Sequence, residues 1–236
     1  MSDLVLIIGG TSGIGLETAE YLLNKNYRVI ICGRRKIISS DIDLINANVN
    51  SDKSVKDLYN IVQKKFGEIN SLVFAAGITT NKKHIEDFDE KIWNEVIDTN
   101  VTGLLRVLKH FFPSLMKTKG RIAVVNSIAS KKSSPFSGFE YTISKAALSG
   151  LVKQLAVEWA KYNIYINSVF PSMTLTPMLK KNLDNNEIKT LQEKLPLKKF
   201  SDPLDTARAI EFLISKKNKY ITGSGIDVSG GQFLSG

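Results

Sequence analysis

Tyr141 and Lys145 stand four residues apart in Tyr-Thr-Ile-Ser-Lys, so on a helix they share one face and reach the same ligand. A phenol is a poor acid or base near neutrality, with an ordinary pKa of about 10, and a neighbouring ammonium favours the phenolate. Such a pair can serve as a general acid or base nearer the working pH. Ser127 follows the apolar run Ile122–Val125, and a hydroxyl at a strand's carboxyl end can hydrogen-bond a substrate carbonyl oxygen as it gains alkoxide character. Ser130, Ser133, Ser134 and Ser137 come next and read as loop polar residues. Asn100, within Asp98-Thr-Asn-Val-Thr-Gly103, interrupts an apolar helical pattern, as either a packing amide or a residue that holds a water. The tyrosine–lysine spacing recurs at Tyr21 and Lys25, near the far end of another expected helix, and reads there as structural.

These residues need a scaffold that brings strand ends together. Leu4–Ile8 runs straight into a turn with glycines at 9, 10, 13 and 15, and a helical pattern (Ile14, Thr18, Ala19, Leu22, Leu23) begins at once. Strand, glycine turn and helix start make a phosphate site, because backbone approaches closely where Cβ is absent and the first helical N–H groups face the anion. Strands are expected at 4–8, 28–32, 44–48, 71–75, 121–126, 164–169 and 225–228, and helices near 14–25, 53–66, 90–117, 140–162, 178–193 and 203–215. Near-continuous apolar strands alternating with helices imply an α/β fold, a doubly wound parallel sheet of about seven strands with helices on both faces. Ligands bind such sheets beyond the strands' carboxyl ends. The connection over 33–43 is too short for a full crossover helix. No linker or repeat marks a boundary, so one domain over residues 1–236 is expected.

The composition, 43% hydrophobic and 23% charged, is that of a globular protein. No apolar run approaches the roughly 18 residues of a membrane span, and no signal-peptide pattern precedes Leu4, so no membrane partner is expected. A lone cysteine, Cys32, excludes an internal disulfide and fits the cytoplasm. The net charge of +9 is spread over lysine pairs with acidic residues between them. That is solvation and not a nucleic-acid track, which needs a contiguous basic stripe with stacking aromatics.

Taken in order, these motifs resemble the short-chain dehydrogenase/reductase family over essentially the whole chain, in the compact branch that includes 3-oxoacyl-carrier-protein reductases. Gly9, Gly13 and Gly15 match its cofactor turn, and Trp93 to Gly103 the helix bearing its asparagine. Ser127, Tyr141 and Lys145 match its catalytic trio, and Asn167-Ser-Val-Phe-Pro171 with Thr176 the approach to its substrate loop. Leu195-Pro-Leu with Pro203, and Ile221-Thr-Gly with Gly230-Gly231, match the C-terminal third. The resemblance implies a Rossmann-type fold and hydride transfer between a nicotinamide cofactor and a carbonyl or secondary alcohol. Tyr141 would be the general acid or base, Ser127 would polarise the carbonyl, and Asn100 would support a water. Lys145 would hold the nicotinamide ribose and lower the tyrosine pKa. The cofactor would lie against Gly9, Thr11, Ser12, Gly13, Ile14, Gly15, Arg34, Asn48, Val49, Ala76, Gly77, Tyr141, Lys145, Pro171 and Thr174. A non-catalytic cofactor sensor is the alternative; it would be expected to lose Tyr141 or Lys145, and both are kept.

Several positions depart from the family pattern. Ile8 precedes the first glycine, Phe74 and Ala75 replace the two asparagines before Ala76-Gly77, Asn48 replaces the acid that meets adenine, and Ser172 replaces the glycine after Pro171. The second strand ends in Gly33-Arg34-Arg35, without the carboxylate that binds the 2′-hydroxyl of NAD. Arg34, helped by Arg35 and Ser12, suits the 2′-phosphate of NADP. The substrate is expected between 131–140 and a loop or lid over 172–200, against Phe136, Phe139, Met173, Leu175 and Met178. Lys131, Lys132, Lys180 and Lys181 at the mouth would suit an anionic or carrier-linked compound. A homodimer or homotetramer is expected by resemblance.

Overall fold

The computed structural model describes residues 2–34, 42–82, 84–134, 136–180 and 185–234 (backbone alone at 180 and 185–187). Seven strands form one sheet: β1 (Leu4–Ile8), β2 (Arg28–Gly33), β3 (Asp43–Asn46), β4 (Ser71–Phe74), β5 (Arg121–Val125), β6 (Tyr165–Pro171) and β7 (Gly225–Val228). Their order is β3-β2-β1-β4-β5-β6-β7, with every pairing parallel. This is the expected doubly wound Rossmann-type sheet. The order reverses between β1 and β4, so the crevice beyond Ile8 and Phe74 lies at the topological switch point, where such sheets bind ligands.

The unbroken apolar strands follow from burial on both faces. Leu4, Leu6 and Ile8 point into one cluster with Phe74, Val124, Leu58, Phe111 and Leu148. Val5 and Ile7 point into the other, with Val73, Val125, Ala19, Leu22, Ile210 and Leu213. The first layer is covered by α2 (Asp52–Phe66), α4 (Gly103–Thr118) and α5 (Phe139–Trp159), and the second by α1 (Gly13–Leu23) and α8 (Pro203–Ile214). Local chemistry sets the helix ends. Ser51 caps α2 through the Ser54 N–H, Asp52 opens that helix and Lys64 and Lys65 close it. Pro203 and a reciprocal Asp202–Asp205 box start α8.

One expected helix is divided. The helix over 90–117 is α3 (Glu90–Ile97), a π-helical turn at Asp98–Thr102, then α4. Apolar periodicity is blind to one extra residue in a turn, and this turn carries Asn100, whose side chain is held by the loop after β4. Of the helix expected over 178–193, α6 (Pro177–Lys180) and α7 (Asn185–Lys194) are described, and 181–184 lie outside the described residues. Most of the short 33–43 connection, with Arg35 in it, also lies outside them. The third strand spans 43–46 and not 44–48, so Asn48 and Val49 sit in the turn beyond it. Among the described residues no helix is long and apolar enough to cross a membrane.

Helix α1 presses its start onto the end of β1. A Cβ on Gly15 would lie 2.3 Å from the Gly9 carbonyl oxygen, whereas Gly150, inside α5, has nothing within 4 Å of that position. Gly15→Ala should therefore cost about 2 kcal/mol by overpacking, lowering Tm by roughly 4–8 °C. Gly150→Ala should raise Tm by a few degrees through helix propensity, worth about 1 kcal/mol. Paired melting curves check both directions.

Candidate active site

The crevice at the switch point is a cleft of about 280 Å³. Its floor is the glycine turn. Gly9 takes φ +84°, and a Cβ there would lie 2.5 Å from the Ala76 nitrogen, so turn and β4 loop are packed backbone to backbone. Ser12 at the α1 N-cap makes no side-chain bond to the first helical turn, and residues 12–15 line the cleft. An uncapped helix start facing a cleft fits a pyrophosphate. At one end stand Cys32, Gly33, Arg34 and Ala47 to Asn50; at the other stand Ser127, Tyr141, Lys145, Pro171, Ser172 and Thr176.

Three elements place the candidate side chains: the end of β5, the start of α5 and the π-helical turn. Ser127 leaves the end of β5 in extended backbone. Its N–H donates to Asn126 Oδ1 at 2.9 Å, and Asn126 Nδ2 donates to Ser149 Oγ of α5 at 3.0 Å. Tyr141 and Lys145 rise from the first turns of α5, with Lys145 Nζ 5.6 Å from the Tyr141 ring centroid. Lys145 is 5% exposed and donates to the Val125 carbonyl at 2.9 Å. Asn100 is fully buried and makes three hydrogen bonds to protein. Its Oδ1 accepts from the Ile78 N–H at 2.8 Å, and its Nδ2 donates to Ile78 O at 3.0 Å and Ser144 Oγ at 2.9 Å. Its π-helical neighbours grip the opposite end of the cleft. Asn50 Nδ2 donates to Thr99 Oγ1 at 2.9 Å, and Arg106, paired with Asp98 at 2.7 Å, donates to Val49 O at 3.0 Å.

A second cavity of about 490 Å³ adjoins the first. Ser127, Tyr141, Ser172, Thr176 and Met178 line both. Its other walls include Ile128, Phe136, Met173 and Leu179, with Lys82, Lys132 and Gln232 among its polar lining.

Most of the expected cofactor residues, Gly9, Thr11, Ser12, Gly13, Ile14, Gly15, Arg34, Asn48, Val49, Ala76, Gly77, Tyr141, Lys145 and Pro171, line the first cleft. Thr174 does not. It is buried in the second cavity, its hydroxyl donating to Ser172 O at 3.1 Å, while Thr176 faces the cleft instead. Asn48 lines the cleft, with its Oδ1 accepting from the Asn50 N–H at 3.2 Å. Asn100 acts on the cleft through Ile78 and does not line it. Of the expected walls, Phe136, Met173 and Met178 line the second cavity. Leu175 points outward, and Phe139 stacks on Phe88 at 6.2 Å. Lys131 is withdrawn from the mouth by a 2.5 Å pair with Asp227, whereas Lys132 lines the cavity. The Lys180 side chain and Lys181 lie outside the described residues. Lys25 lies over the Tyr21 ring at 5.6 Å, at the end of α1 remote from the glycine turn. Sequence reading passed over Asn126, Ser144, Ser149 and Arg106, although serines on the buried face of α5 were a usable signal.

Burial holds the Tyr141 phenol above its ordinary value, and the hydrogen bond with Ser127 only partly offsets this. Burial pushes Lys145 itself down to about 8.

The comparisons with known proteins agree with this geometry. A family model described as "Enoyl-(Acyl carrier protein) reductase" matches residues 9–232. The FabG 3-oxoacyl-[acyl-carrier-protein] reductase of Staphylococcus epidermidis is 31% identical over 247 residues, covering 99% of this chain and 100% of that protein. The chain belongs to the short-chain dehydrogenase/reductase family. It is an oxidoreductase of C=O and CH–OH groups. Acetoacetyl-CoA reductase of an Acinetobacter species, another reductase similar to this one, is 29% identical over 98% of both chains. A solved structure, ElxO with NADP bound, superposes with a TM-score of 0.90 at 31% identity over 98% of each chain.

A lysine at about 8 in the fold and 10.5 when solvated binds fewer protons folded than unfolded across that interval. Its burial cost is therefore fully present below pH 8 and fades as pH rises to 10.5, on the order of 3 kcal/mol in all. Lys145→Met should accordingly gain stability over the wild type at pH 7, and the gain should vanish by about pH 10.5. Melting temperatures of both proteins across that range measure it.

Proposed function

We propose that this reductase converts the carbonyl of a thioester-linked 3-oxoacyl chain to an alcohol, with NADPH as the reductant and Tyr141 as the proton donor. The observation that carries the reading is that Ser127 and Tyr141 line both the dinucleotide cleft and the adjoining cavity. A bound dinucleotide would supply a hydride to the carbonyl carbon of a substrate held in the adjoining cavity. Ser127 would orient the carbonyl oxygen, and Tyr141 Oη would give it a proton as negative charge builds there. Lys145, largely protonated at pH 7, brings positive charge beneath the tyrosine ring and would hold the nicotinamide ribose hydroxyls. Asn100 keeps Ile78 and Ser144 in register, and so positions the floor of the site and the start of α5.

Preference for NADP rests on the end of β2, where Gly33 leaves no carboxylate and Arg34 faces the cleft. The NADP of ElxO and the names of the two relatives support this cofactor and substrate class. The apolar cavity walls with Lys82 and Lys132 suit an acyl chain on an anionic carrier. In this reading residues 1–236 are one catalytic domain and 172–200 close over the substrate. Exposed Leu105, Met116, Ile143 and Val157 on α4 and α5 support assembly as a homodimer or homotetramer, and the single free cysteine supports a cytoplasmic location.

NADPH consumption with acetoacetyl-CoA tests the activity. Tyr141→Phe should lower kcat by roughly 10²–10⁴-fold while leaving NADPH binding unchanged, and turnover near wild type would remove Tyr141 from its role. Arg34→Ala should weaken NADPH by about 10- to 100-fold, as expected for one charge-assisted bond, with NADH unaffected. Equal wild-type affinity for NADPH and NADH would refute the cofactor preference.

A further inference from the structure

Gly33 ends β2 at the position where a dinucleotide-binding strand presents a carboxylate to a ribose 2′-hydroxyl. Its backbone lies outside the left-handed region, so nothing in its own conformation calls for glycine. The constraint comes from Thr11. A Cβ on Gly33 would lie 2.5 Å from Thr11 Cγ2, 2.6 Å from Oγ1 and 3.1 Å from Cβ.

Rotating Thr11 does not relieve this. Its Cβ carries two heavy substituents over three staggered positions, and the two positions nearest Gly33 are both filled. Any other rotamer leaves at least one of them occupied. Thr11 cannot withdraw with its backbone either. The Gly9 and Gly10 N–H groups both donate to Cys32 O, at 2.8 and 3.1 Å, and a Cβ on Gly10 would lie 2.6 Å from the Ile31 side chain. The turn that carries Thr11 is clamped to the strand that ends in Gly33.

We propose that Thr11 is a specificity-determining residue that bars a side chain, and hence a NAD-type carboxylate, from position 33. Residue 33 lines the cleft beside Arg34. A carboxylate there would accept bonds from free ribose hydroxyls and repel a 2′-phosphate. Thr11 makes conversion toward NAD a two-residue problem. The inference deepens the NADP reading and depends on it for the identity of the ligand, but not for the steric coupling itself.

The test measures melting temperature without dinucleotide, and NADPH and NADH dissociation constants by fluorescence titration. The variants are Gly33→Ala and Gly33→Asp, each alone and combined with Thr11→Ala. Alone, each Gly33 substitution should lower Tm and weaken both dinucleotides by about tenfold or more. Combined with Thr11→Ala, which removes the 2.5 and 2.6 Å contacts and leaves the 3.1 Å one, the Tm loss should shrink by more than the single effects predict, and Thr11→Ala/Gly33→Asp should bind NADH more tightly than NADPH. Additive changes in Tm would overturn the proposal, as would a Gly33→Asp single variant that binds NADH as tightly as the double. A wild type indifferent to the 2′-phosphate but with coupled Tm changes would refute the NADP reading and still support the exclusion of residue 33 by Thr11.

Discussion

The site depends on one buried carboxamide. Asn100 satisfies both backbone groups of Ile78 and meets Ser144 on α5. A buried backbone N–H or carbonyl without a partner costs about 1–3 kcal/mol. Without this side chain, the loop after β4 and the first turns of α5 would lose their common anchor. The π-helical turn exists in register with that need, because it directs Asn100 inward while Thr99 and Arg106 grip the turn after β3. Both ends of the cleft are thus referred to the π-helical turn and the first turn of α4.

The electrostatics of the Tyr141–Lys145 pair follow from the same packing. Lys145 is buried because α5 lies against the carboxyl end of β5, where the Val125 carbonyl accepts a hydrogen bond from its ammonium. Burial weakens its hold on its charge and makes the Tyr141 phenol harder to ionise. A phenol kept protonated near neutrality is a suitable proton donor. Asn126 and Ser149 complete the arrangement by fixing the backbone of Ser127.

The large-scale architecture was legible because its causes are local. Val5 and Ile7 alternate with Leu4, Leu6 and Ile8 without a polar gap, and only a sheet covered on both faces buries all five. Glycines at 9, 13 and 15 mark the close approach of backbone there. The residues that held their expected places lie next to such markers: Ser127 after a strand, and Tyr141 and Lys145 one helical turn apart. Those that moved lie where chain direction depends on distant contacts. Thr174 turned into the second cavity, Leu175 outward and Phe139 onto Phe88. Lys131 left the mouth for Asp227, 96 residues away in sequence.

Sequence alone determined the doubly wound sheet, the phosphate-binding turn and the tyrosine–lysine pair, since periodicity, missing Cβ atoms and helical spacing act over a few residues. Only the tertiary structure decided that the long helix breaks into a π turn around Asn100, because the bonds that hold it come from Ile78 and Ser144 on other elements. It likewise decided that burial raises the tyrosine while Lys145 faces a carbonyl. Gly33 shows the same division: the sequence offers a glycine at a strand end, and only the fold reveals that Thr11 fills the space where a side chain would stand.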